Sequence, residues 1–542
     1  MTSEGANDRH RPEVEGRTSP RPAGERAGAP PGLTRQAIGG MFWTFSGTGV
    51  QVAVQVLAIM ALGRLLTPAE FGLMGAATVV IACSQIVSQI GVGPAIIQRR
   101  ELKPAHVRMA VTLSFTLGCL LGAMVYFGAP AIARFYRIPE VEPVLRAVAF
   151  LFPMDGLNTV AKSLLTRQLR FRLYIALDAG SYILGYACVG VVLAWLGYGV
   201  WALVFANLAQ EAVRTVAMYV ATRHSVRPSF DLRAARDLLG FGFGHSMAQI
   251  GTLLSQQGDN MVVGRWLGPT ALGIYGRAYN LMVMPASAFG RIVNRVLFPV
   301  MAQVQNERDR LANAYERALA IVALVSLPIS TFFWAVAPEF IPLFLGPSWG
   351  PAVVPFRLFT VSLMFRMSSK ISDACTKAAG EVYIRALLQF AYAAMVVVGA
   401  IIGQRWGVGG VAVCVSVAMG LNWLSMAWLS RSVTGLAWSR FASAHASPVL
   451  LALVVGGAAM AGAEVGRAAH LSKVPIVIAA GLTAAVVGVV AVRLRPGLFL
   501  GRHGTWAYRQ AQELLRRRAR RSARSQAPEA EGLASFGEAR PK

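Results

Sequence analysis

The sequence predicts an all-α polytopic membrane protein with about 14 transmembrane helices, arranged as two six-helix bundles followed by a C-terminal helix pair. Three observations predict this fold class. First, 55% of the 542 residues are hydrophobic, 14% are charged and the mean hydropathy is +0.50, which leaves too little polar surface for a water-soluble protein. Second, apolar runs long enough to cross ~30 Å of hydrocarbon recur along the chain. Third, one hairpin-forming stretch occurs twice.

The N-terminal segment, residues 1–38, is rich in Pro, Gly, Arg and Glu and holds few large apolar residues. Because it cannot bury enough surface to fold, we expect a disordered cytoplasmic tail. The first apolar run then begins near Gly39 and is followed by a turn rather than by a signal-peptide cleavage site. The fourteen predicted spans are 40–62, 72–94, 109–129, 146–165, 174–196, 199–221, 240–263, 272–298, 316–337, 352–375, 384–403, 408–430, 446–464 and 474–492.

The spans group into three regions that precede a final basic tail. They predict a first six-helix bundle at 39–237, a second at 238–431 and an extra helix pair at 446–493, before a basic cytoplasmic tail at 494–542. The net charge of +26 is concentrated partly in this tail, where residues 506–524 have helix-forming composition and a dense run of Arg. Beside a bilayer we expect this segment to lie on anionic lipid rather than to bind nucleic acid.

The orientation follows from where basic residues sit between the spans. Arg and Lys cluster in the connections after even-numbered spans, as at 99–108, 162–172 and 223–236, and are sparser in the opposite loops. Cytoplasmic loops carry the excess of Arg and Lys. We therefore expect a multi-pass protein of the bacterial inner membrane with both termini in the cytoplasm.

An internal repeat marks the start of each bundle. Residues 63–75 read GRLLTPAEFGLMG and residues 264–276 read GRWLGPTALGIYG, at an offset of 201 residues with no gap. Arg, Pro and paired Gly are typical of a tight turn at a membrane surface. The repeat therefore predicts one helical hairpin used twice, as in transporters whose halves face a central substrate site. The matched residues are Gly63, Arg64, Leu66, Pro68, Gly72 and Gly75 with Gly264, Arg265, Leu267, Pro269, Gly273 and Gly276.

These features resemble a known family. The two-bundle plan, the paired hairpins, the QLRFR loop at 168–172 and the stretch SQQGDNMVVGRWLGPTALGIYGRA at 255–278 resemble the polysaccharide transporter family, which belongs to the multidrug/oligosaccharidyl-lipid/polysaccharide exporter superfamily. The resemblance covers about residues 36–494. It implies a flippase that moves undecaprenyl-pyrophosphate-linked oligosaccharide repeat units across the inner membrane for lipopolysaccharide or exopolysaccharide biosynthesis. It also implies membrane lipids, and a polysaccharide polymerase and export machinery, as partners.

Charged residues inside the predicted spans indicate a polar cavity, because an ionised side chain at mid-bilayer costs at least ~2.5–3.5 kcal/mol. Polar residues in the eighth span are spaced to share one helix face, and the tenth and fourth spans repeat the pattern. The planar fork of Arg suits a pyrophosphate, whereas snorkelling of Arg277 and Arg295 to opposite surfaces is the alternative. The predicted substrate-binding residues are Arg277, Asn280, Arg291, Asn294, Arg295, Arg366, Lys370 and Lys162.

The seventh span supplies candidates for ion coupling. Asp259 lies there with Gln256 and Asn260, and Gln55 corresponds to Gln256 at the offset of the repeat. The Asp259 carboxylate could take up a proton or a sodium ion, or it could form a structural ion pair with an Arg of the eighth span. Weaker candidates are Asp178, Glu211 and His245.

Two other exporter functions, and one enzymatic function of a different class, stay open at this point. A multidrug exporter should bind organic cations, which a cationic cavity repels, whereas a peptidoglycan-precursor exporter is closer in chemistry. A membrane-bound polymerase or ligase needs acid and base residues outside the membrane. The longest predicted outer loop, 337–353, holds one carboxylate, Glu339, and no histidine. There is no phosphate-binding Gly-Lys loop and no metal-ligand spacing. The sequence therefore predicts a transporter rather than an enzyme, without a metal or a cofactor.

Overall fold

The computed structural model contains helices, turns and short irregular connections throughout the part of the chain that it describes. The whole predicted N-terminal tail, most of the C-terminal basic tail, and the predicted boundary between the bundles at 237/238 lie outside that part. The described residues are 53–88, 92–99, 101–225, 227–229, 231, 243–293, 297–506, 508–510 and 512–513.

In the first half of the chain, the described residues form eight helices. The turn between the first two is fixed by a capping box, in which Thr67 and Glu70 exchange hydrogen bonds at the start of the second helix. The seventh helix contains a π-helical segment at Tyr182–Cys188. The helices are α1 Ala53–Leu65, α2 Pro68–Ser88, α3 Val92–Gln98, α4 Pro104–Tyr136, α5 Val141–Val148, α6 Leu151–Arg167, α7 Phe171–Trp195 and α8 Val200–Thr222.

In the second half, the described residues up to 494 form eight more α-helices. The first of them is interrupted at Gly268, whose φ of +84° is accessible to glycine and turns the chain sharply. A 3₁₀ turn at Pro347–Ala352 links the third and fourth of them. The helices are α9 Phe243–Ile292, α10 Phe298–Gln303, α11 Arg308–Leu345, α12 Val353–Ala378, α13 Val382–Gly403, α14 Gly407–Thr434, α15 Trp438–Ala468 and α16 Lys473–Leu494.

Seven helical segments of the described chain are long and apolar enough to cross a membrane, and α1 and the first part of α2 are shorter apolar helices. The protein is therefore a multi-pass membrane protein, while the count of fourteen stays a prediction. Helices such as α12 fall outside the seven because charged residues interrupt their apolar sequence. The seven segments are Pro104–Tyr136, Val141–Arg167, Phe171–Trp195, Arg308–Leu345, Tyr383–Thr434, Trp438–Ala468 and Lys473–Leu494.

The two repeat stretches form turns at equivalent positions and pack against each other. A Cβ atom on Gly72 would overlap the carbonyl oxygen of Pro269, and a Cβ atom on Gly273 would overlap the carbonyl oxygen of Pro68. This reciprocal contact brings α2 and the second part of α9 together backbone to backbone. We call it the hairpin contact.

Arginine and tryptophan side chains anchor the two turns to neighbouring helices. Arg64 donates a hydrogen bond to the Leu343 carbonyl oxygen at 2.7 Å, and the Trp349 indole donates one to the Gly63 carbonyl oxygen at 2.7 Å. In the second repeat, the Arg265 guanidinium lies 5.5 Å from the centre of the Phe135 ring. The repeated arginines therefore have different partners in the two halves.

The C-terminal helix pair, α15 and α16, packs on α11. Small residues of the pair meet the Phe332 and Phe333 side chains, and Thr331 donates a hydrogen bond to the Ala452 carbonyl oxygen at 3.1 Å. At one end, Arg467 makes two hydrogen bonds to the Glu339 carboxylate, at 2.8 and 2.9 Å. At the other, His503 in the helix at 496–506 lies 2.9 Å from Glu316.

The ion pair between Arg467 and Glu339 should matter for stability. The Glu339 side chain is only 8% exposed, so Arg467→Ala leaves a buried carboxylate unpaired. We expect a destabilisation toward the lower end of the ~3–5 kcal/mol typical of broken buried pairs, measured as a lower thermal midpoint in detergent. Glu464→Ala is the matched control, because Glu464 bonds the same guanidinium but is 60% exposed. Equal shifts in the two variants would contradict this role.

Candidate functional site

A cavity of about 450 Å³ lies among α9, α12, α13 and α14. Its uncharged lining includes Ser255, Gln256 and Gln389, together with Tyr392 and Asn422. Its charged lining is four cations and one carboxylate, so the described lining carries a clear excess of positive charge. We call it the cationic cavity, and its charged residues are Arg366, Lys370, Asp373, Lys377 and Arg385.

Helix α12 carries four of the five charged residues that line the cationic cavity. The charged positions 366, 370, 373 and 377 recur every three or four residues, which puts them on one face. The opposite face carries small buried residues that pack into the bundle, where the Ser372 hydroxyl lies 2.8 Å from that of Tyr315. The small face lets α12 pack closely while its long charged side chains reach the cavity.

At the deep end of the cavity, Arg366 lies against the ring of Tyr279, 5.4 Å from its centre. Its guanidinium donates a hydrogen bond to the Tyr279 hydroxyl at 2.8 Å. Behind it, the Tyr275 hydroxyl donates a hydrogen bond to the Asp259 carboxylate at 2.6 Å. Asp259 is 1% exposed and interacts electrostatically with Arg366. The acid therefore sits behind an aromatic layer rather than on the cavity wall.

At the other end, near the turn between α12 and α13, one carboxylate holds two cations. Asp373 accepts a hydrogen bond from the Lys377 ammonium at 2.6 Å and another from the Arg385 guanidinium at 2.8 Å. All three side chains line the cavity and are partly exposed. We call this end the mouth of the cavity.

The structure brings only some of the predicted site residues together. Arg366, Lys370 and Gln256 line the cationic cavity. Asn260 donates a hydrogen bond to Gln257 on the same helix, and Gln55 is half-buried in α1. The Arg291 side chain, Asn294 and Arg295 lie outside the described part of the chain.

Arg277 occupies a different environment. Its guanidinium stacks 3.8 Å from the centre of the Phe71 ring in α2 and interacts with the hydroxyls of Tyr182 and Tyr186 in the π-helical segment of α7. Asn280, one turn further along, is exposed. Arg277 thus connects α9 to α2 and α7, away from the lining of the cationic cavity.

Lys162 lines a second cavity, of about 210 Å³, formed by residues of the first half. There Arg214 pairs with Asp178 at 3.3 Å and with Glu211 at 3.1 Å. The buried Asn158 side chain donates hydrogen bonds to Glu211 and to Thr215. This second cavity mixes acids and bases, unlike the cationic cavity.

Sequence reasoning did not place Arg385 in the site, because it lies just after a predicted connecting loop. A usable signal was present in α13: Arg385, Gln389 and Tyr392 follow at spacings of four and three, which puts polar side chains on one face of an apolar helix. For metals, the described residues contain no group of three or more His, Cys, Asp or Glu side chains that could hold an ion.

Comparisons with known proteins find relatives that are named for the biosynthesis of polysaccharides. A family model described as polysaccharide biosynthesis protein matches residues 61–354. The teichuronic acid biosynthesis protein TuaB of Bacillus subtilis is 25% identical over 339 residues, covering 62% of this chain and 70% of the relative. The lipopolysaccharide biosynthesis protein WzxC of Escherichia coli is 25% identical over 336 residues, covering 62% and 68%. The succinoglycan biosynthesis transport protein ExoT of Rhizobium meliloti is 28% identical over 311 residues, covering 57% and 62%.

Two solved structures share the fold. The lipid II flippase MurJ in an inward closed conformation matches with a TM-score of 0.67 at 12% identity, covering 84% of this chain and 99% of that structure. An inward-facing multidrug transporter of the MATE family matches with a TM-score of 0.57 at 18% identity, covering 71% and 95%. At these identities the likeness shows the fold.

Proposed function

The chain belongs to the polysaccharide biosynthesis protein family and is a membrane transporter of polysaccharide biosynthesis, and from that premise we propose its substrate. It flips undecaprenyl-pyrophosphate-linked oligosaccharide repeat units across the bacterial inner membrane. The observation that carries the proposal is the cationic cavity, which places four basic side chains and one acid among membrane helices. Such charges are costly in a bilayer unless they serve a polar pathway or a bound anion. A pyrophosphate is an anion that Arg and Lys bind well.

The proposed substrate arrangement follows from the two ends of the cavity. The pyrophosphate lies along the cations of the cavity, from Lys377 and Arg385 at the mouth to Lys370 and Arg366. The glycan fills the space lined by Gln389 and Asn422, and the prenyl chain trails in lipid. The mouth, next to the turn between α12 and α13, faces the cytoplasm in the predicted orientation. Substrate therefore enters from the cytoplasmic leaflet.

The hairpin contact supports a cycle of alternating access. It joins the two halves at the turns that the predicted orientation places outside, so the described conformation is closed there. Release to the periplasm requires α2 and α9 to separate at Gly72 and Gly273 while the cytoplasmic side closes. Rocking of two repeats about a fixed site is the common plan of such transporters.

The experiment that tests the function follows lipid-linked oligosaccharide in cells that lack this protein. We expect undecaprenyl-pyrophosphate glycan to accumulate on the cytoplasmic side and the wild-type gene to clear it. If no such glycan accumulates and the cells become sensitive to drugs instead, the protein is a multidrug exporter and the flippase proposal is wrong. The excess of basic groups in the cavity disfavours a multidrug exporter, because organic cations would be repelled.

Asp259 is the proposed coupling residue, with Gln256 and Asn260 on the same helix and Gln55 at the position equivalent to Gln256 in the first repeat as further polar groups. Its carboxylate is buried and electrostatically linked to Arg366, so a bound proton or sodium ion changes the charge felt by the anion site. We expect Asp259→Asn, which keeps the side-chain size and an acceptor for Tyr275, to lower transport ~10-fold and to remove its dependence on ion gradients. Asp309→Asn, an exposed acid at the start of α11, is the control. Unchanged transport and ion dependence in Asp259→Asn would rule this role out.

A further inference from the structure

One carboxylate, Asp373, lies among the cations at the mouth of the cationic cavity. Asp373 uses both oxygens, one toward Lys377 on its own helix at 2.6 Å and one toward Arg385 on α13 at 2.8 Å. It thus occupies the space between two cations from two helices, which is where an oxyanion of a ligand would bind. Resting on the proposed function, we propose that Asp373 is an internal counter-ion that pairs with Lys377 and Arg385 at the mouth of the cavity and is displaced by the pyrophosphate of the substrate.

The pairing leaves Arg385 incompletely used. One terminal nitrogen of its guanidinium reaches Asp373, but its buried Nε atom has no hydrogen-bond partner. Arginine binds carboxylates and phosphates best through two parallel N–H groups, and a buried donor without a partner is costly. A phosphate group, which offers several oxygens, can engage both nitrogens of the fork. The guanidinium of Arg385 can therefore accommodate an anion that offers more oxygen atoms than the Asp373 carboxylate.

The charge of the lining explains why an acid is useful in this place. The described lining holds four cations and one acid. Without Asp373, a doubly charged pyrophosphate would meet four basic groups with nothing to compete for them. Transport requires binding that is weak enough for release. By returning to Lys377 and Arg385, Asp373 replaces the leaving pyrophosphate, so the cations are not left unpaired when the substrate departs.

The test measures binding of inorganic pyrophosphate to the full-length protein in dodecyl maltoside micelles, which contain no phosphate. Asp373→Asn should bind pyrophosphate ~5–10-fold more tightly than wild type, because the competing charge is gone. Asp373→Ser serves as a second neutral variant if the first does not fold, since its hydroxyl can bond the preceding helical turn as Ser369 does. Asp373→Glu should bind as weakly as wild type.

The matched control is Glu307→Gln, which removes an acid that pairs with Arg310 on the exposed surface. It should leave pyrophosphate affinity unchanged, whereas Lys370→Ala should weaken binding. Equal or weaker binding by the folded neutral variants would overturn the counter-ion role. Transport provides a separate readout: at saturating substrate the neutral variants should turn over more slowly, because release is slowed.

The two proposals fail in distinguishable ways. If wild-type protein moves lipid-linked oligosaccharide but the neutral variants bind pyrophosphate no better, only the counter-ion role is wrong. If the neutral variants bind pyrophosphate more tightly but no lipid-linked oligosaccharide is moved, the anion site and its counter-ion stand and the proposed function is wrong.

Discussion

One methyl group at Gly273 should remove most of the transport activity. A Cβ atom there would overlap the carbonyl oxygen of Pro68, and neither backbone can yield without moving a helix. Overpacking of this kind costs ~1–3 kcal/mol, which depletes the closed hairpin state by about one to two orders of magnitude. We expect Gly273→Ala to reduce polymer export ~10-fold or more in complemented cells at matched protein abundance, and Gly72→Ala to act in the same way.

Gly276→Ala is the matched control, three residues further along the same helix. No atom lies within 4 Å of the position that its Cβ atom would take, and alanine favours a helix over glycine by ~1 kcal/mol. Its export should equal that of wild type. If Gly273→Ala and Gly276→Ala behave alike, the hairpin contact has no role in transport.

Removing the two inner cations of the cavity should have an effect of similar or larger size. Hydrogen bonds to charged groups contribute ~1.5–3 kcal/mol each, so Arg366→Ala combined with Lys370→Ala should lower transport at least ~100-fold. The measurement is clearance of cytoplasmic lipid-linked oligosaccharide in complemented cells. Arg366→Lys should be intermediate, because it keeps the charge but loses the planar fork.

Arg310→Ala is the control for the loss of a basic residue, because Arg310 is exposed and its ion pair with Glu307 lies away from the cavity. It should clear lipid-linked oligosaccharide as wild type does. Full clearance by the Arg366 and Lys370 double variant would show that the cationic cavity is not the substrate site.

The sequence predicted the hairpins well because their signal is local. Gly, Pro and Arg at fixed spacing specify a turn, and the turns at Thr67 and Gly268 occur at equivalent positions of the repeat. That the glycines of one hairpin meet the prolines of the other could not be read from the chain, because it depends on how the halves pack. The number of membrane spans is also difficult to establish, because charged residues in α12 interrupt the apolar run by which a membrane helix is recognised.

The sequence predicted the cavity residues only in part, because helical periodicity is a local signal and the packing between helices is not. Arg366 and Lys370 share a face through helical periodicity, and the structure places them together in one cavity. Arg277 has equally good periodicity, but the aromatic rings of Phe71 and Tyr186 surround it, and those partners come from distant parts of the sequence. Lys162 likewise lines the cavity of the other half. Periodicity identifies a face, whereas tertiary packing decides which cavity that face meets.

The central claim is that this protein moves lipid-linked oligosaccharide through the cationic cavity, and reconstitution tests it most directly. Purified protein is placed in vesicles that carry a labelled undecaprenyl-pyrophosphate oligosaccharide in both leaflets, and a glycosidase outside reports the accessible fraction. We predict that wild-type protein makes nearly all of the labelled oligosaccharide accessible to the glycosidase. The Arg366→Ala and Lys370→Ala double variant should leave the oligosaccharide of the inner leaflet protected, as in vesicles without protein. Protection of the inner half with wild-type protein, or full access with the double variant, would contradict the claim.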